Sequence, residues 1–157
     1  MDLSRYTEKA QQALFGAQSE AERRQHQQVE PEHLLLALLD QADGVVPRIV
    51  ERLGIDLSRL RDSVEGALRL FPRLQTPPAQ VYVSPRLKRV LDLAQEEAGR
   101  LRDDYISTEH LFIAMADPAV GGPALRILQG FGITRDRIYQ VLTQVRGAQR
   151  VTSPHPE

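Results

Sequence analysis

The chain has no cysteine and no tryptophan. Without a thiol there is no disulfide framework, no sulfur nucleophile and no thiolate metal ligand. Aromatic residues are scarce, with four Phe and four Tyr among 157 residues, too few to line a sugar-binding cleft. No apolar run approaches the roughly 18 residues needed to span a bilayer. The opening "MDLSRYTEKA" lacks the apolar stretch of a secretory signal. Charge of one sign is also missing. Twenty Lys and Arg face 21 Asp and Glu, interspersed throughout, for a net charge of −1. The basic stripe expected of a nucleic-acid binder is therefore absent. These absences point to a cytoplasmic protein with neither nucleic acid nor membrane as partner.

Motifs that carry catalysis are missing as well. There is no G-x-x-x-x-G-K-[ST] phosphate loop, and "VGGP" (120–123) lacks the lysine, so it reads as a helix start. The histidines at 26, 33, 110 and 155 make no H-E-x-x-H spacing. No serine sits in a G-x-S-x-G turn. Glu32 and Glu109 occupy matching positions and suggest a glycosidase-like carboxylate pair. A simpler role is to stabilise the positive end of a helix, worth about 0.3–1 kcal/mol each. The expectation is a non-enzymatic domain with no metal and no cofactor.

What the sequence does contain is a duplication. "VEPEHLLLALL" (29–39) returns as "ISTEHLFIAMA" (106–116). Walking outward from Glu32 and Glu109, Leu14, Ala17, Gln18, Glu20, Ala21 and Arg23 meet identical residues at 91, 94, 95, 97, 98 and 100. "LGIDLSRL" (53–60) falls on "FGITRDRI" (131–138) after one inserted residue. Such self-similarity marks two copies of one structural unit.

Each copy reads as four helices. Ala10, Ala13, Leu14, Ala17 and Ala21 recur at steps of three and four, as do Leu87, Val90, Leu91, Ala94 and Ala98, giving one apolar helical face each. Ser84-Pro85 is a helix start and Thr7 holds the matching cap position. The repeated phrase is the second helix, with Glu30 and Ser107 as caps, and His33 and His110 in its first turn. Gly54 and Gly132 terminate the third helix of each copy. The fold class is therefore all-α: eight helices as two pseudo-symmetric four-helix repeats. The domain runs over 1–147, with repeat one at 4–70, a proline-containing linker at 71–83 and repeat two at 84–147. Residues 148–157 read as a linker or frayed tail.

The doubled phrase, together with "RYTEKAQQALFGAQSEA" and "SPRLKRVLDLAQEEA", resembles the Clp N-terminal domain over about residues 1–147. "MDLSRYTEKAQ" and "VRGAQRVTS" are more similar to the ClpB disaggregase branch than to the ClpC branch. The resemblance implies a domain carried on a flexible linker above a hexameric ATPase ring. ATP belongs to the ring modules of the parent protein, and the isolated domain is expected to be a monomer. It also implies that the domain engages unfolded or aggregated polypeptide and passes it to the pore. The family's polar contact residues match Thr7, Asp103 and Glu109 here. Asp103 and Glu109 are expected to face solvent and the client. Leu14, Leu91 and Leu111 are the expected groove residues. The alternative implied by the ClpC branch is a reader of phosphorylated arginine or a dock for an adaptor protein. Its pockets would pair Glu32 with Thr7 and Glu109 with Ser84, although Pro31 replaces a hydroxyl of that pattern.

Overall fold

Thr7 and Ser84 open the first helix of each repeat in the same way. The Thr7 hydroxyl accepts from the Ala10 amide at 3.2 Å, and the Ser84 hydroxyl from Leu87 at 3.0 Å. Each satisfies an amide that the helix itself leaves without a partner. The computed structural model describes residues 2–146 and 150–155. In chain order its elements are α1 (Glu8–Arg23), β1 (Gln28–Val29), α2 (Pro31–Leu39), α3 (Val45–Arg52), α4 (Leu57–Arg69), β2 (Tyr82–Val83), α5 (Pro85–Arg100), α6 (Thr108–Met115), α7 (Gly122–Gly130) and α8 (Arg135–Arg146). The described residues thus form eight helices, four per repeat, as the sequence pattern indicates. None of these helices is long and apolar enough to cross a membrane.

The repeated phrase lies at the centre. Every residue of α6 is buried, and in α2 only Ala37 is not. A helix that is apolar on all sides has to be enclosed. α1 covers α2, α5 covers α6, and the amphipathic α3, α4, α7 and α8 pack around them. Leu34, Leu35 and Leu38 share one continuous core with Leu111, Phe112 and Ile113. The two repeats therefore form one domain. Gly54 and Gly132, with φ of 77° and 74°, follow α3 and α7 in the left-handed region expected of them.

The sequence shows no convincing strand, yet two short parallel pairings tie the repeats together. Gln28 pairs with Tyr82 and Val29 with Val83, while Tyr6 forms a parallel bridge with Ile106. Position 6 is the pseudo-equivalent of 83, and 106 of 29. Each repeat's central phrase is thus paired by the segment entering the other repeat's first helix. Pairings of one or two residues leave no period-two pattern for a sequence reading to detect.

The final residues depart from the expected frayed tail. The Val151 amide donates to Asp103 Oδ1 at 2.7 Å, and its carbonyl accepts from Asp104 at 2.7 Å. The Pro154 carbonyl accepts from the Glu8 amide at 2.8 Å. Val151 is buried. In the inter-repeat segment the Leu74 amide donates to the Gln25 carbonyl at 2.9 Å. Residues 150–155 are therefore docked, because their backbone groups find partners on α1 and on the α5–α6 turn. The rest of the expected tail, 148–149 and 156–157, lies outside the described residues.

Candidate functional site

The histidines of the repeated phrase hold the helix starts in place. His33 Nδ1 accepts from the Glu30 amide at 2.9 Å, and His110 Nδ1 from the Ser107 amide at 2.8 Å. A nitrogen that accepts carries no proton, so the proton of each neutral ring sits on Nε2. His33 Nε2 then donates to His26 Nδ1 at 2.8 Å. In repeat two the same Nε2 donates to Asp103 Oδ2 at 2.7 Å. His26 and Asp103 are pseudo-equivalent, so the duplication has diverged from imidazole to carboxylate at one buried position. Burial, then the neighbouring His26 and Arg24, push His33 down to about 4. Burial raises Asp103, but hydrogen bonds from His110, Arg146 and the Val151 amide outweigh it and hold the carboxyl at about 2.

Two polar cavities flank these helix starts. One, of about 220 Å³, is lined by Thr7, Lys9, Arg48, Glu109, Arg146 and Val151 among others. The second, of about 440 Å³, is lined by Glu30, Ser84, Arg86, Arg89 and Val120 among others. The exchanged strands decide this pairing. Thr7 sits with Glu109 of repeat two, and Ser84 with Glu30 of repeat one, the reverse of the expected Thr7–Glu32 and Ser84–Glu109 pairs. Glu109 Oε2 meets Arg146 Nη1 at 3.3 Å. Glu32 turns inward, and its Oε2 accepts from the Ala124 amide in the first turn of α7 at 2.7 Å. Its Oε1 is buried without a hydrogen-bond partner among the described residues. Burial raises the Glu32 carboxyl above its ordinary range, opposed in part by the Ala124 amide.

An apolar groove lies apart from both cavities. Leu3, Leu14, Phe15, Val29, Val83 and Leu87, with Gln18, line a hollow of about 220 Å³ that contains no charged side chain. Phe15 is 57% exposed, Tyr82 53% and Val83 40%. The matching surface of repeat two carries charge at this place. Asp92 replaces Phe15 there and pairs with Lys88 at 2.8 Å. The groove thus does not follow the internal symmetry at this position.

The expected site residues fall into three groups. Leu14 lines the apolar groove, and Thr7 and Glu109 line the first polar cavity. Ser84 lines the second while also capping α5. Leu111 is completely buried, so it cannot be a groove residue. Leu91, also buried, does not line the groove. Asp103 and Glu109, expected to face solvent, are both buried, and so is Glu32. The Asp103 side chain is enclosed and both its oxygens are engaged, by His110 and by Arg146 with Val151. The sequence reading missed Phe15, Tyr82 and Val83. A signal for Phe15 was present: a large apolar residue displaced by one position from the Leu14–Ala17 face of α1.

Residues 5–131 match the family described as the Clp repeat (R) N-terminal domain. The chain is 41% identical to the chaperone protein ClpB of Nitratidesulfovibrio vulgaris and 39% identical to that of Bacillus cereus. Both alignments cover 100% of this chain and 18% of the relative, so the chain spans less than a fifth of the length of these relatives. Among solved structures, the Hsp104 N-terminal domain from Candida albicans aligns with a TM-score of 0.82 at 23% identity, over 95% of this chain and 96% of that one. A complex of a ClpV N-domain with a VipB peptide aligns with a TM-score of 0.72 at 20% identity, over 91% and 88%. These last two likenesses are of fold. With its doubled phrase, its eight helices and this match, the chain belongs to the Clp repeat N-terminal domain family and is similar to the N-terminal part of ClpB chaperones.

Proposed function

We propose that this chain is the client-engaging N-terminal domain of a ClpB-type ATP-dependent chaperone. In this reading it captures apolar stretches of unfolded or aggregated polypeptide and hands them to the ATPase ring of the parent hexamer. The domain itself catalyses nothing and binds no nucleotide. The observation that carries the reading is the uncharged groove around Leu14, Phe15 and Val83. Large apolar side chains left exposed beside a hollow of this size cost solvation and are retained where a partner covers them. The ClpV N-domain solved with a VipB peptide shows that this fold accommodates a peptide elsewhere.

The test is Phe15→Asp, which gives repeat one the residue repeat two has at that place. Phe15 is exposed, so the melting temperature should stay near wild type. Binding of unfolded casein should fall about tenfold, since burying an aromatic side chain is worth about 1.5–3 kcal/mol. Casein binding at wild-type strength would overturn the proposal.

A second reading draws on the polar cavity. Lys9, Arg48, Arg146 and Arg150 line it beside Asp43 and Glu109. That mixture suits a group carrying both charges, such as phosphorylated arginine. Under this reading free phosphoarginine competes with the client, and unmodified casein does not bind.

A further inference from the structure

Two halves of one duplicated domain treat the same backbone position differently. The Tyr82 amide donates to Gln27 at 3.2 Å and the Ser84 amide to Val29 at 3.1 Å. In a parallel ladder the residue between two such donors turns its own N–H and C=O to the opposite side. The Val83 N–H and C=O therefore point away from β1, and they have no protein partner among the described residues. In the other half, Arg5 and Thr7 make the matching bonds to Ile106, which leaves Tyr6 in the place of Val83. There both outward groups are closed. The Tyr6 N–H donates to the Leu3 carbonyl at 3.1 Å, and its C=O accepts from Gln11 Nε2 at 3.0 Å. Lys88 stands where Gln11 would be needed to close Val83, and its amine is engaged with Asp92 instead.

The open edge adjoins the apolar groove. Val83 supplies the strand edge and also lines the hollow with Leu14, Phe15 and Leu87. A helical ligand satisfies its own backbone and would have no use for these two groups. An extended chain needs a donor and an acceptor of this kind.

We propose that an extended apolar segment adds as a third strand along the outer edge of β2, exchanging hydrogen bonds with the Val83 N–H and C=O. One of its apolar side chains, on the same face as Val83, fills the hollow beside Leu14 and Phe15. Because the hollow is uncharged, the seated residue is aliphatic or aromatic. The binding mode rests on the groove being the client site, and the experiment separates the two.

Val83→Pro removes the outward N–H and leaves the Tyr82 and Ser84 bonds to β1 in place, since proline is tolerated on a free strand edge. The probe is a short fluorescein-labelled peptide alternating valine with threonine, titrated against the 157-residue chain by anisotropy. Val83→Pro should weaken binding about tenfold, from one lost main-chain bond and the clash of the ring with the incoming strand. Phe15→Ala should weaken it to a similar degree. If Phe15→Ala weakens binding and a folded Val83→Pro variant does not, strand addition is overturned and the groove remains the client site. If neither does, both fall. Hydrogen exchange on the unmutated chain gives a reading that does not depend on the variant folding. Saturating peptide should slow exchange of the Val83 amide at least about tenfold. An unchanged Val83 amide under saturation overturns the proposal.

Discussion

Replacing His26 by aspartate would give repeat one the buried pair of repeat two. In the native protein His33 Nε2 donates to His26 at 2.8 Å, and His33 titrates at about 4 instead of 6.5. Its folded value is depressed, so between these two values the unfolded chain binds more protons than the folded one. Stability is then complete above pH 6.5 and is lost as the pH falls toward 4. Each tenfold difference in proton affinity between the folded and unfolded chain is worth about 1.4 kcal/mol, so acidification from about pH 7 to pH 5 should remove about 2 kcal/mol through His33. His26 is itself pushed down by burial and by Arg24 and Arg73, and it adds in the same direction. In His26→Asp the introduced carboxylate would sit in a hollow lined by Arg24, Arg69 and Arg73 and would favour a charged His33. The assay is urea unfolding followed by circular dichroism at pH 7 and pH 5, for both proteins. The carboxylates outside this pair contribute equally to each, so the difference between the two pH changes isolates the pair. The variant should lose at least about 1 kcal/mol less than wild type over this interval. Equal losses would refute the account of His26 and His33.

Two further predictions concern residues whose roles the structure reassigned. Asp103→Ala should lose about 3–5 kcal/mol, because the buried His110 Nε2 and the Val151 amide are left without their acceptor; chemical denaturation measures it, and a loss under about 1 kcal/mol would show this contact to be dispensable. Leu111→Ala should cost about 2–5 kcal/mol as a core cavity while leaving peptide affinity per folded molecule unchanged, read by calorimetry beside peptide titration.

The sequence by itself determined the helices, their number and the duplication. Those features rest on local physics. Apolar spacing along α1 and α5 sets a buried face, Thr7 and Ser84 satisfy the first amides, and Gly54 and Gly132 permit a left-handed exit. Each acts within a few residues, so each is visible in a short window. The doubled "EHL" phrase also showed which helices are equivalent, while the hydrogen bonds of its histidines to the Glu30 and Ser107 amides became visible only in the structure. Only the tertiary structure decided which residues of one repeat meet which of the other. Tyr6 pairs with Ile106 and Val83 with Val29, residues a hundred and more than fifty positions apart, through pairings too short to leave a pattern. That exchange places Thr7 beside Glu109 and turns Glu32 inward to cap α7. It also decided burial. Leu111 and Leu14 are both leucines on apolar helix faces, but α6 is enclosed on all sides while α1 leaves one flank open. The groove of repeat one differs from its counterpart at Phe15 against Asp92, Val83 against Tyr6 and Leu87 against Ala10, and the joint effect of these differences appears only once residues from α1, β2 and α5 are packed together.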